Sequence, residues 1–322
     1  MIEIRRILCP TDFSDFSRRA FDHAVAIARW YESAITLLHV CPVAPAAAYG
    51  PGVPMLPSPV VTGADREELL ESLRRFARTE AGLDVPVDVE VGEGRAPDEI
   101  LGWAARMPSD LIVMGTHGRS GFERLLLGSV TERVLRKASC PVLSVPRSLP
   151  DAAPLPTGLF RHILCAIDFS DCSMQALTYA MSLAQEADAH LTVQHVLEFP
   201  PELRPDVPDP VLGATHVLKE YVGAIEKERR ARLHDAVPES VRTYCTVDTV
   251  VVVGKAYQEI LRLAAARQTG LIVIGIHGRG AADLLFFGST AQHVVRSAHC
   301  PVLTLRRDRA DGEVPADRAR SG

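Results

Sequence analysis

The chain has 322 residues, with 35 Lys and Arg against 40 Asp and Glu, a formal net charge of −5. Apolar residues make up 47% and charged ones 23%, the composition of a folded, water-exposed protein of about two domains. The acidic balance leaves no electrostatic case for nucleic acid, no apolar run reaches the ~18 residues of a membrane span, and the opening MIEIRRILCP lacks the apolar stretch of a secretion signal, so a cytoplasmic location is expected.

Taken in chain order, the first strand-like run is Ile4–Cys9. Ser14–Tyr31 then has helical period, with Ala20, Ala24, Ile27 and Ala28 on one face. A second strand at Ala34–Val40 leads into a long proline- and alanine-rich connection, 41–63. Asp65–Ala81 reads as a helix, charged on one side, with Leu69, Leu73 and Phe76 on the other. Strand Val85–Val91, helix Ala96–Met107, strand Asp110–Gly115, helix Val130–Ala138 and strand Val142–Val145 complete the set. The strands are nearly continuous runs of Ile, Val and Leu, as in a sheet covered on both faces. Strands alternating with helices predict a parallel sheet with right-handed crossovers, an open α/β domain.

The same order then recurs. DLIVMGTHGR (110–119) matches GLIVIGIHGR (270–279), and ASCPVLSVPR (138–147) matches AHCPVLTLRR (298–307), both offset by 160. Upstream, PTDFSD (10–15) matches AIDFSD (166–171), and ITLLHV (35–40) matches LTVQHV (191–196), both offset by 156. A net four residues were therefore gained between the second strand and the fourth. Strands are expected near 162–167, 189–196, 246–253, 270–275 and 302–305. The fold expected is α/β: two tandem open, parallel, five-stranded, Rossmann-like domains, 1–147 and 161–307. Residues 148–160 are the linker and 308–322 a tail too charged and aperiodic to order. The long connections 41–63 and 197–213 are either a cover over the carboxyl edge of the sheet or plain surface excursions. The seven cysteines form no C-x-x-C pair, and those beside strands read as buried apolar residues.

Between the fourth strand and the next helix each copy carries the same punctuation: Gly115, Gly118, Gly128 and Ser129, then Gly275, Gly278, Gly288 and Ser289. Ligands of open α/β sheets bind at the carboxyl ends of strands, and a helix N-terminus there is an anion site. Glycine permits positive φ and lets a phosphate approach where a Cβ would obstruct it. The competing reading is that Ser129-Val-Thr-Glu132 and Ser289-Thr-Ala-Gln292 are capping boxes and the glycines ordinary turns. Asp12 and Asp168, just past the first strand of each copy, could hold ribose hydroxyls or a hydrated Mg²⁺, or could serve as helix caps. His39 and His195, at the end of the second strand, read as structural histidines.

With these residues in view, the chain resembles the universal stress protein family in its tandem form. The strand-end aspartate, G-x2-G-x9-G-S and CPVL on the last strand carry the likeness across both halves. The resemblance implies ATP binding, with Mg²⁺, in each copy. It implies that Asp12 and Val40 flank adenosine, that Gly115, Gly118, Gly128, Ser129 and Val130 cradle phosphates, and that Pro10, Thr11, Met114 and Arg119 also belong to the binding site. In the second copy the matching positions are Ala166, Ile167, Asp168, Val196 and Ile274, then Gly275, Gly278, Arg279, Gly288, Ser289 and Thr290. It also implies a stress-response binding module rather than a dedicated enzyme, with a slow Mg²⁺-dependent ATPase on the same site as the alternative. No P-loop, H-x-G-H or serine-elbow motif occurs.

Two further expectations concern assembly and rank. PVLSV and PVLTL are apolar edges in that family's sheet order, so the two halves should pair there as an internal pseudo-dimer; a homodimer is the other assembly considered. The first site is expected to be the tighter. It has Thr11, Arg119 and Arg124, where the second has Ile167, Arg279 and Leu284.

Overall fold

A computed structural model of the chain describes residues 2–42, 62–78, 84–116, 127–147, 160–199, 214–277 and 287–306. The long connections, the tail and all of the linker except Phe160 lie largely outside these residues, as do Gly118, Arg119, Arg124, Gly278, Arg279 and Leu284.

The first copy has strands β1 (Arg6–Pro10), β2 (Ala34–Cys41), β3 (Val87–Glu93), β4 (Leu111–Gly115) and β5 (Val142–Val145). Its helices are α1 (Asp15–Tyr31), α2 (Gly63–Ala77), α3 (Ala96–Arg106) and α4 (Ser129–Lys137). The second copy has β6 (His162–Ala166), β7 (His190–Leu197), β8 (Val247–Val253), β9 (Leu271–Gly275) and β10 (Val302–Leu305). Its helices are α5 (Asp171–Glu186), α6 (Ala214–Asp235), α7 (Glu239–Arg242), α8 (Ala256–Ala266) and α9 (Ser289–Ser297). Cys41 and Leu197, at the ends of β2 and β7, keep the offset of 156, and Val87 and Val247, at the starts of β3 and β8, already show 160. The four extra residues therefore fall between the second and third strands. The short α7, absent from the sequence reading, lies in that same stretch.

All ten strands form one sheet, ordered β3-β2-β1-β4-β5-β10-β9-β6-β7-β8. Pairing is parallel within each copy and antiparallel only where β5 meets β10. At that junction Ser144 faces Val302 and Thr304 faces Val142. Ser144 Oγ donates to the Val302 carbonyl and Thr304 Oγ1 to the Val142 carbonyl, both at 3.1 Å. The apolar edges expected to pair do so, which removes two open edges at once. Phe160, 3% exposed, adds a plug between the copies, its ring 6.0 Å from that of His23 and 5.9 Å from that of Trp30.

The sheet is the middle of three layers. One core lies under α1, α2, α5 and α6 and joins residues of both copies, Phe21, Leu143, Leu183 and Leu303 among them. The other lies under α3, α4, α8 and α9, with Leu38, Ile112, Ile272 and Val294. A fully buried Leu or Phe side chain contributes about 1.5–3 kcal/mol, so β1, β4 and their repeats, packed on both faces, are the rigid frame. Their carboxyl ends are thereby held in fixed register.

Candidate functional site

In each copy a pocket opens where the carboxyl ends of the first, second and fourth strands meet the N-terminus of the last helix. The pocket of the first copy takes in Pro10, Thr11, Asp12, Val40 and Met114 from the strand ends, and Gly115, Gly128, Ser129 and Val130 from β4 and the start of α4. Its repeat takes in Ala166, Ile167, Asp168, Val196 and Ile274, and Gly275, Gly288, Ser289 and Thr290. Every described residue expected at the site is thus brought to one place, twice. The cavities differ in size, about 190 Å³ in the first copy and about 670 Å³ in the second.

The strand-end aspartates are not helix caps. Ser14 is the N-cap of α1, accepting from the Ser17 N–H, and Asp12 stands two residues earlier. Asp12 Oδ1 accepts from the Ser14 N–H at 3.1 Å and from Ser14 Oγ at 2.6 Å. Asp168 repeats the arrangement on Ser170 at 3.0 and 2.6 Å. Between aspartate and serine the backbone turns through left-handed φ at a phenylalanine, 62° at Phe13 and 64° at Phe169. Such a conformation costs of order 1–3 kcal/mol for a non-glycine residue and is retained where surroundings enforce it. Here Phe13 packs on His39 at 4.7 Å and Phe169 on His195 at 4.8 Å. Those histidines in turn donate Nδ1–H to the carbonyls of Thr11 and Ile167, at 2.8 Å each. They lock the strand ends together, in agreement with the structural reading. The paired DFS turns escaped sequence reasoning because their strain is a tertiary property, although their repetition was visible.

The capping-box reading is overturned. Gly128 and Gly288 are the N-caps of α4 and α9, with no side-chain cap bond, and Ser129 and Ser289 are the first helical residues. The first-turn N–H groups therefore have no partner within their own helix, and the residues that carry them line the pocket. Thr131 Oγ1 donates to the Gly115 carbonyl at 2.8 Å, tying the start of α4 to the end of β4.

Positive φ is absent at the described glycines of the motif, Gly115, Gly128, Gly275 and Gly288, while Gly118 and Gly278 lie outside the described residues. Gly128 has φ −57° and Gly288 φ −59°, and among the described glycines only Gly94 lies in the left-handed region. Close packing explains them instead. A Cβ on Gly275 would sit 2.9 Å from Cys172 Sγ and 3.1 Å from backbone of α5, and one on Gly288 would sit 2.6 Å from the Ile276 carbonyl oxygen.

Of the grounds for ranking the first pocket above the second, the Thr11 hydroxyl does not survive, and Arg119 and Arg124 against Arg279 and Leu284 lie outside the described residues. The Thr11 hydroxyl, meant for a ligand, donates to Ser17 Oγ at 2.9 Å and accepts from the Phe13 N–H at 3.1 Å. The second pocket has a cation the sequence comparison missed, Arg229 on α6. Arg66 and Arg230 both donate to the third strand of their copy, at the equivalent Val91 and Val251 carbonyls. Arg229 therefore stands where the first copy has Asp65, an offset of 164 that neither repeat offset, 156 or 160, reveals. Glu198 also lines the second pocket and accepts from the Ala256 N–H at 2.6 Å, capping α8.

None of the cysteines is in a disulfide, and burial pushes the Cys140 and Cys300 thiols up to about 12. Cys140 is half-buried rather than buried. Among the described residues no helix is long and apolar enough to cross a membrane.

The sequence model of the universal stress protein family matches residues 3–146 and again 159–306. This chain belongs to the universal stress protein family. It is similar to a universal stress protein of Mycolicibacterium smegmatis, 28% identical over 93% of this chain and 96% of that one. A universal stress protein of Methanocaldococcus jannaschii is 38% identical over 44% of this chain and 81% of its own length. Among solved structures, a universal stress protein from Archaeoglobus fulgidus aligns over 95% of this chain and all of its own, with TM-score 0.63 and 22% identity. That last likeness is one of fold. The tandem arrangement and the mostly parallel α/β sheet are those of the family.

Proposed function

We propose that this universal stress protein binds ATP, with Mg²⁺, in both pockets, and that nucleotide occupancy sets its stability or its choice of partner. The two binding domains are residues 1–147 and 161–307. The observation that carries this reading is the doubled, glycine-capped helix start. Ser129-Val130 and Ser289-Thr290 each bring first-turn N–H groups, without a side-chain cap, to a pocket at the carboxyl ends of buried strands. Backbone donors there, with the positive end of a nine-residue helix, suit an anion such as a triphosphate. The apolar walls, Leu38, Val40, Ile100 and Met114 in the first pocket, suit the flat face of a base.

Asp12 and Asp168 stand at the mouth as carboxylates for a sugar hydroxyl or for a hydrated Mg²⁺ held chiefly by phosphate oxygens. Each spends Oδ1 on its own turn, which favours a holding role over that of a base in an ATPase. With Arg229 in its wall and the larger cavity, the second pocket is proposed as the tighter. The test is to purify the chain, denature it with heat and identify any released nucleotide, then titrate the emptied protein with ATP and Mg²⁺ by calorimetry. Two binding events support the reading. A chain that carries none and takes up none refutes it.

A further inference from the structure

The two pockets are built on the same frame but have different floors. In the first, Leu38 of β2, fully buried, lies among Ile100, Met114 and Val130. At the same register in the second copy, paired to Ala166 as Leu38 is to Pro10, stands Gln194. Gln194 is 1% exposed and lines the second pocket with Ile260, Ile274 and Thr290. Its orientation is determined by chemistry. Nε2 donates at 3.2 Å to the carbonyl of Glu259 in the first turn of α8, and a carbonyl can only accept, so the amide oxygen is turned the other way. That oxygen, Oε1, is buried and has no hydrogen-bond partner among the described residues.

A buried acceptor left unpaired is costly, and natural interiors seldom keep one without use. The surroundings of Gln194 are otherwise those of a base-binding wall, and the neighbouring change from Val130 to Thr290 makes the same wall more polar. Oε1 is covered by its neighbours, so a purine amino group entering along this wall supplies the missing donor once the Gln194 side chain shifts towards it. A base without that group leaves the acceptor unpaired.

Resting on the nucleotide reading above, we infer that the second pocket selects an amino-bearing purine nucleotide through Gln194, whereas the first, with Leu38, holds its base by apolar contact on this wall. The copies thus differ in selectivity as well as in affinity. One pocket discriminates between bases by a hydrogen bond, and the other tolerates loss of the amine at that wall.

The experiment compares ATP with purine riboside 5′-triphosphate, which lacks the amino group, by calorimetry on the full chain. A Val130→Trp background fills the first pocket so that the second is read alone. With Gln194 present, ATP is expected to bind roughly tenfold more tightly than the analogue, the effect of one good hydrogen bond. In Gln194→Leu the two should bind within about twofold of each other, since the discriminating acceptor is gone. This variant installs the side chain the first copy already packs at that register. The converse variant, Leu38→Gln in a Thr290→Trp background, should give the first pocket a preference for ATP. Undiminished preference in Gln194→Leu, or none with Gln194 in place, overturns the inference while leaving nucleotide binding intact. Binding of neither nucleotide by the unaltered chain overturns the nucleotide reading, and this inference with it.

Discussion

His23 should make the fold acid-labile in a defined window. It sits on α1, 4% exposed, in the seam between the copies, with its ring 6.0 Å from Phe160. Its Nδ1–H donates to the Arg19 carbonyl at 2.7 Å, which fixes the tautomer of the neutral ring but by itself favours the charged one. Burial holds its pKa down at about 4, against an ordinary 6.5. The unfolded chain therefore binds this proton at a higher pH than the folded one. Stability from the neutral ring is fully present above pH 6.5 and is lost as pH falls towards 4. Linkage over those two values gives a loss of about 2 kcal/mol at pH 5 and about 3 kcal/mol at pH 4, relative to neutral pH. The assay is urea unfolding followed by far-ultraviolet circular dichroism at pH 7.5, 6, 5 and 4, on the natural chain and on His23→Phe. The variant loses one hydrogen bond, worth about 1 kcal/mol, and is expected to be no more stable than the natural chain at neutral pH. At pH 5 the difference should have moved in its favour by about 2 kcal/mol. Parallel pH dependences for the two proteins would refute the argument, because any shared carboxylate titration cancels in the comparison.

Other perturbations test the site and its frame. Gly288→Val should destabilise the ligand-free chain by about 1–3 kcal/mol, because its side chain meets the Ile276 carbonyl; an unchanged urea midpoint would restore a purely ligand-facing role for that glycine. Arg229→Ala should weaken ATP binding to the second pocket roughly tenfold, and less so at high salt, where the natural contact is screened; equal affinity by calorimetry would mean the guanidinium does not reach the phosphates. Cys140 and Cys300, at about 12, hold about one thiolate in ten thousand at pH 8, so peptide mapping after alkylation should find them unlabelled until the chain unfolds; rapid labelling in the folded protein would contradict their burial.

The architecture was legible because its signals are local and repeated. Runs such as LIVMG and LIVIG can satisfy their side chains only in a sheet covered on both faces, and β5 and β10 were placed to the residue. Duplication supplied the second half of the argument, since two copies of one spacing cannot both be accidents of turn composition. The pairing of PVLSV with PVLTL was expected from their apolar character together with the sheet order that the family resemblance implies, which makes both of them edges.

What sequence could not decide were matters of who faces whom. Ser129 and Ser289 have the pattern of capping boxes, yet the helix begins one residue earlier in space, because Gly128 and Gly288 bond back to Thr116 and Ile276 at 2.8 and 2.9 Å. The Thr11 hydroxyl is already paired with Ser17, six positions along the chain but adjacent in the fold. Arg229 belongs to the second pocket only because α6 reaches it, and its offset from Asp65, 164, matches neither offset of the repeated strands. Gln194 looked like one drifted letter in LTVQHV. Its unpaired oxygen arises from the sheet that buries it and the single carbonyl of α8 that takes its nitrogen. Periodicity and spacing are properties of neighbours along the chain, so the sequence alone determined the elements and their duplication. The chemistry of each pocket depends on side chains brought together from several elements, and only their packing decides which polar atoms are already paired and which are left for a ligand.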